Sequence, residues 1–308
     1  MTFEIKRLNV NPEDLEQLGT KEKFWFRFKG GNTNWLFKYS RKNTGEHWSE
    51  KVAEKLCEAL GIPHVKYEMA EMDGRMGVVT PNIVPEGFRM VMGNEVLHAD
   101  SPSSYPEPEV NSLQFVRVKE HTVRRVLGCL DMTGVLPPRS WTSHVGLNSG
   151  DVFCGYLLLD ALVSNQDRHH ENWAILIDVN SQKKFLCETY DHAASLGREL
   201  LDCDRDRRLS SKDKNQSVET FVRKARSELF KFKTDRKPMY TVDAFFVAVE
   251  KRVKAKEYWL GQLSELGFDE IKSIFDCIPG EVSTDLAKSF ALRMVLENRK
   301  RLLNDVRA

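Results

Sequence analysis

Residues 165–176, NQDRHHENWAIL, set Asp167, Arg168, His169, His170, Glu171 and Asn172 side by side and then run into apolar sequence. Two kinds of chemistry use such groups. As metal ligands, Asp167, His169 and His170 could join Asp191 and His192 of the later YDH to hold zinc or a metal pair. The spacing disfavours this: adjacent His side chains in a loop diverge, and no H-E-x-x-H supplies a further fixed ligand. Phosphoryl transfer fits better. It needs an acid near the acceptor hydroxyl, an Asn a few residues on to bind magnesium, and a second Asp after the next hairpin to bridge magnesium to the phosphates. Asp167 to Asn172 has the D-x-x-x-x-N spacing of such loops, and Asp191 follows at the end of a second strand-like run.

The elements that would position these groups are legible on either side. Residues 151–164 carry a helical apolar stripe, WAILID reads as a buried strand, VNSQKK as a turn, and KFLCETYDH as a second strand ending on Asp191 and His192. Toward the amino end, FWFRFK (24–29) and WLFKY (35–39) read as a hairpin around GGNTN. Gly30 and Gly31 there could cradle phosphates with backbone N–H groups, and a plain turn explains them equally well. Lys38 lies in the second strand. The stretch NTGEHWSEKVAEKLCEALG reads as an amphipathic helix with Asn43 or Thr44 as N-cap, Trp48, Val52, Leu56 and Leu60 on one face, and Gly61 as stop. A phosphate-binding Lys in a strand is oriented by a helix Glu; Glu50 and Glu54 qualify, and Glu50 is nearer the amino end. VKYEMAEMDGRMGVVTPNIV then reads as two strands joined by Asp73-Gly74. Backbone groups near Asn82 and Ile83, within Thr80 to Val84, are the expected adenine contacts.

Residues 98–112, rich in Pro, Ser and acid, are the expected connection between a small β-rich lobe (1–97) and a larger helical lobe (113–308). Helical stripes recur at 114–130, 217–230, 241–258, 268–277 and 284–306, and 198–216 reads as an exposed charged loop. There is no internal repeat. With 308 residues and 41% hydrophobic content the chain can build a large core. The 46 basic and 45 acidic residues leave a net charge of +1, which gives no general pull toward nucleic acid or anionic lipid. No apolar run reaches the roughly 18 residues of a membrane helix, the start lacks a secretory signal pattern, and the six cysteines form no C-x-x-C pair. A cytoplasmic protein without direct nucleic-acid or membrane binding is the expectation.

Three segments, WLFKYSRKNTGEHWSEKVAEKLCEALGIP, NQDRHHENWAIL and YDHAASLG, resemble the HipA-like serine/threonine kinases, best known as toxins of bacterial toxin–antitoxin modules. The resemblance spans residues 20–200, and its D-x-H-x-x-N order is also found in lipid kinases. It implies an α+β, bilobal protein-kinase-like fold, and an ATP- and Mg2+-dependent transfer to Ser or Thr of a protein substrate, with an antitoxin or other regulatory protein as partner. It implies Asp167 as catalytic base, His169 as a loop-organising or phosphate-proximal residue, Asn172 and Asp191 as magnesium ligands, and Lys38 paired with Glu50. His170 has no role in the pattern and is expected at the surface; His192 stands where ordinary kinases have Phe. With about 20 residues ahead of KFWFRFK, the additional amino-terminal subdomain of the family is expected to be lacking. Thr33 is the sole hydroxyl of GGNTN, so the self-phosphorylation known in HipA-type toxins has no clear acceptor there, although Ser40, Thr44 and Ser49 follow nearby. A lipid or small-molecule hydroxyl kinase and a nucleotide-binding pseudokinase are the alternatives.

Overall fold

The computed structural model describes residues 2–10, 13–15, 22–108, 117–142 and 145–307. Strands β1 (Ile5–Arg7), β2 (Asp14–Leu15), β3 (Lys23–Arg27) and β4 (Asn34–Tyr39) precede helix α1 (Glu46–Leu60), and β5 (Glu68–Met72) and β6 (Arg75–Pro81) follow it. These strands form a six-stranded sheet in the order β1-β5-β6-β4-β3-β2. Alternation sorts its two faces. Phe24, Phe26, Phe37 and Tyr39 pack together with Ala70 and Val79 on one side. The opposite side carries Lys38, which is directly across from Lys23 on β3 and Val78 on β6. Val78 packs against Ala174, Leu176 and Tyr190, so this second face looks toward the rest of the molecule.

Helix α1 differs from the expectation at its start. Its N-cap is Gly45, without a side-chain cap bond, and Thr44 Oγ1 instead donates to the Arg41 carbonyl at 2.8 Å. The first-turn acid does the stabilising: Glu46 accepts from the Arg41 backbone N–H (2.9 Å) and guanidinium (2.8 Å), and lies 3.4 Å from Arg198. At the other end Gly61 takes φ 65°, and its N–H closes the last turn, as expected of a glycine stop. The helix is buried well beyond its apolar stripe, because β5 and β6 cover one side and three helices of the larger half cover the other.

The chain leaves the first sheet after Pro81. Strand β7 (Phe88–Met92) is absent from the sequence reading; it pairs with β9 (Ala174–Asp178) in a second sheet ordered β7-β9-β10-β8, where β8 is Val135–Leu136 and β10 is Lys184–Leu186. The crossing from sheet to sheet is therefore at residues 82–87, ahead of the Pro- and Ser-rich stretch. Helix α2 (Gly93–Asp100) enters that stretch, and Tyr105 within it is buried. Residues 109–116, which hold the end of the stretch and the start of the helix expected at 114–130, lie outside the described residues. The described part of that helix is α3 (Val123–Met132), opened by Thr122, whose hydroxyl accepts from the Arg125 N–H; the residues just before it are drawn off by pairing with Phe230.

The other expected helices shift for similar reasons. The 198–216 segment contains helix α5 (Asp202–Ser210), held by an Arg205–Asp202 pair, rather than a loop. The 217–230 helix shortens to α6 (Val218–Arg223), because Arg226 and Phe230 turn to strand-like bridges with Tyr240 and Thr122. The 241–258 helix breaks into α7 (Thr241–Val249) and α8 (Val253–Glu265) at Arg252, whose guanidinium is pulled onto Asp131 and Asp151. Helices α9 (Phe268–Asp276) and α10 (Asp285–Leu303) follow as expected. Helices α3, α7, α8 and α10 pack around α4 (Ser149–Val163), which is buried on every face and ends where the 165–172 loop begins.

His47 in the first turn of α1 is buried beside Ser40, 3.2 Å from its hydroxyl, and burial drops its pKa from the ordinary 6.5 to about 4. The unfolded chain binds a proton at pH 5 that the folded chain refuses, so stability falls as pH drops from 6.5 toward 4. His47 alone should lower stability by about 2 kcal/mol between pH 8 and pH 5. Urea denaturation at the two pH values should give a correspondingly smaller difference in His47→Gln. An equal difference would remove His47 as the cause.

Candidate active site

Asp160 is the one acid within the last two turns of α4, and it is 2% exposed. A carboxylate so placed needs a cation, and Arg168, 0% exposed, supplies it. Its Nε and Nη2 donate to the two Asp160 oxygens, both at 2.8 Å. Burial works against the guanidinium charge, but the Asp160 carboxylate outweighs it, and the Arg168 pKa ends above its ordinary value. The remaining donors do the positioning. Nη1 donates to the Asn172 carbonyl (2.6 Å) and reaches the Tyr190 carbonyl (3.5 Å), while Nη2 also donates to Thr189 Oγ1 (3.0 Å). One guanidinium therefore holds the loop after α4 against the segment that ends β10.

The loop is further closed on itself. Asn165 N–H groups bond Asp160, the Asp167 N–H donates to Asn165 Oδ1 (3.2 Å), and the Asp167 carbonyl accepts from His169 N–H (2.8 Å) and from Asn172 Nδ2 (2.6 Å). With its amide nitrogen so engaged, Asn172 keeps Oδ1 for another partner. His169 Nδ1 accepts the Glu171 N–H at 3.2 Å, which places a proton on Nε2, 3.9 Å from Asp167 Oδ1; burial lowers the pKa of this ring. The Asp167 side chain is about half exposed, open to an incoming group.

Asp191 is held from both halves of the molecule. It adopts φ 57°, a left-handed conformation costly for a residue with a side chain. Its N–H donates to the Tyr67 hydroxyl (3.2 Å), and its carboxylate lies 3.6 Å from Lys38 Nζ. The pairing of Lys38 with Glu50 is not formed. Glu50, 1% exposed, accepts from the His192 backbone N–H (2.7 Å) and faces His192 Nδ1 (3.2 Å). Helix α1 thus grips the residue after Asp191 and leaves Lys38 to Asp191 itself.

The remaining predicted residues fall on other elements. Gly30 (φ 78°) and Gly31 form the exposed turn between β3 and β4, where the Gly31 N–H donates to the Phe28 carbonyl (2.9 Å). Asn82 and Ile83 fall in the crossing between the two sheets; the Asn82 N–H donates to the Asn34 carbonyl, and Ile83 packs near Val78 and Tyr190. His170 is not a free surface ring: its Nδ1 is 2.7 Å from the Tyr105 hydroxyl, and burial, then His169, lowers its pKa to about 4. His192 is likewise buried and bonded. The sequence reading gave no role to Arg168, Asp160, Thr189 or Tyr67. The lone acid in the apolar run FCGYLLLDALV, eight residues before an Arg, was the available signal for the first two.

The oxygen set of Asn172 Oδ1 and the Asp191 carboxylate is of the hard type that magnesium takes, and Lys38 beside it is a phosphate-binding type of group. Breaking the Asp160–Arg168 pair from one side strands a buried carboxylate. Arg168→Met should therefore cost about 3–5 kcal/mol of stability in urea denaturation; a loss under about 1 kcal/mol would mean that solvent reaches Asp160.

No protein-family model matches the sequence, and no curated protein matches it. Solved structures do. A Helicobacter pylori proinflammatory kinase, CtkA, superposes with a TM-score of 0.74 at 18% identity, over 98% of this chain and 96% of that one. HipA of a Shewanella oneidensis toxin–antitoxin system, in complex with HipB and operator DNA, superposes with a TM-score of 0.55 at 11% identity, over 95% of this chain and 65% of that one. With its strand-borne Lys38, buried α1 glutamate and loop-borne Asp167, the chain has the bilobal fold of the HipA-like kinases.

Proposed function

We propose that the chain is an ATP- and Mg2+-dependent kinase that phosphorylates Ser or Thr hydroxyls of a protein. The observation that supports this reading is the buried Arg168, which bonds the carbonyls of Asn172 and of Tyr190, the residue before Asp191, and so ties the loop that bears Asp167 and Asn172 to the segment that bears Asp191. In this reading Asp167 orients the acceptor hydroxyl and takes its proton as the oxygen attacks the γ-phosphorus and the bond from that phosphorus to the β–γ bridging oxygen breaks, releasing ADP. Lys38 moves from Asp191 to the α and β phosphates, and the amides around Gly30 and Gly31 cover the phosphate tail. Asn82 and Ile83 border the adenine. Asn172 and Asp191 would hold magnesium, which neutralises charge developing on the β and γ oxygens when bound. His169, whose pKa burial lowers, braces Asp167 by its backbone N–H and ring.

The Ser/Thr preference and the protein substrate follow the resemblance of the sequence segments to the HipA-like serine/threonine kinases. HipA was seen with HipB, and for this chain a regulatory or antitoxin partner is proposed on that ground. Among the described residues no helix is long and apolar enough to cross a membrane.

Incubation with γ-labelled ATP, Mg2+ and cell lysate tests the reading. Label on Ser or Thr of a protein is expected from the parent. Asp167→Ala should lower the rate by about 100-fold or more with an unchanged unfolding midpoint. Full activity in Asp167→Ala would overturn the assignment of the base, and label confined to lipid or small molecules would replace the protein substrate.

A further inference from the structure

The proton directions in the buried groups behind Asp191 follow from donor chemistry. Arg168 has only N–H donors, so Thr189 Oγ1 is the acceptor of its Nη2 contact at 3.0 Å. The Thr189 hydroxyl proton then points to the ring nitrogen 2.8 Å away, His192 Nε2. The opposite ring nitrogen, Nδ1, faces the acceptor oxygen Oε1 of Glu50 at 3.2 Å and so carries the ring proton, with Nε2 accepting from Thr189. Glu50 and His192 are 1% exposed, Thr189 is 1% exposed and Arg168 is 0% exposed, so no water competes for these bonds. The chain of bonds runs from Asp160 on α4 to Glu50 on α1, and it passes one residue from Asp191.

We propose that His192 and Thr189 are positioning residues, which hold Asp191 in its metal-binding geometry through a one-way relay from Arg168 to Thr189 to His192 to Glu50. The functional half of this inference rests on the kinase reading; the relay itself does not. A left-handed Asp persists only where its surroundings over-determine it. Tyr67 fixes the Asp191 N–H, and the His192 N–H and ring together fix the following peptide on Glu50. The relay also explains the pairing of Lys38. Because the His192 N–H groups occupy Glu50, the lysine is left to the Asp191 carboxylate, and both can turn to a magnesium nucleotide without disturbing α1. Thr189 matters by its hydroxyl, which alone can accept from Arg168 and donate to His192 together.

Ring-15N-histidine NMR on the full chain tests the relay. The signal lost in His192→Asn should show a protonated Nδ1 and a bare Nε2 in the parent. Thr189→Ser should keep that signature, and Thr189→Val should shift the Nε2 resonance. A non-hydrolysable ATP analogue should then require about tenfold more Mg2+ for half-maximal binding in Thr189→Val, while Thr189→Ser stays close to the parent and metal-free affinity does not change. A proton on Nε2 in the parent overturns the relay even if Thr189→Val does not fold. A parent-like Mg2+ requirement in folded Thr189→Val overturns the positioning role. A folded parent that binds no nucleotide would sink the kinase reading, and the tautomer would still decide the relay.

Discussion

A carboxylate that cannot reach water organises this molecule's centre. Asp160 sits on the most buried helix, where an unpaired charge would cost several kcal/mol, and the fold answers with Arg168. A guanidinium has five donors in a rigid fork, and two of them satisfy Asp160. The rest reach Asn172, Thr189 and Tyr190. What begins as a solution to a burial problem therefore becomes the joint between the loop after α4 and the hairpin that carries Asp191. Such a pair contributes little net stability compared with apolar residues, but its geometry is specific.

The second constraint is the attachment of the first half to this joint. Helix α1 is usually thought of as presenting a glutamate to the strand lysine. Here Glu50 is committed to His192, and Arg198 and Arg41 hold Glu46 at the helix start. His192 within the YDHAASLG segment and Arg198 just after it are therefore both tied to α1. The strain at Asp191 is sustained by that double tie together with Tyr67. Lys38 and Asp191 are paired at 3.6 Å between partly exposed groups, and in the proposed function this is the contact a nucleotide would replace.

Much of the centre was legible in sequence because local chemistry repeated the global arrangement. The β3–β4 hairpin, the Asp73-Gly74 turn, the Gly61 stop and the helix–loop–hairpin order around Asp167 all follow from turn residues and apolar periodicity. What escaped was decided by tertiary partners. Strand β7 has no strong alternation and exists because β9 offers it an edge. Residues after Arg223 read as helix and are drawn into bridges with Tyr240 and Thr122. Glu50 was found at the right depth, yet its partner was misjudged, because nothing in a linear pattern tells that His192 comes closer than Lys38. His170 likewise needed Tyr105, sixty-five residues earlier in the chain, to lose its surface character.

In the proposed function Asp191 and Asn172 form a metal-dependent nucleotide site. Calorimetric titration of the protein with the non-hydrolysable ATP analogue, with and without Mg2+, tests this most directly. Binding should strengthen by about tenfold or more when Mg2+ is added, and Asp191→Ala should abolish that gain while leaving the fold intact. Equal affinity with and without Mg2+, or an undiminished Mg2+ effect in Asp191→Ala, would contradict it.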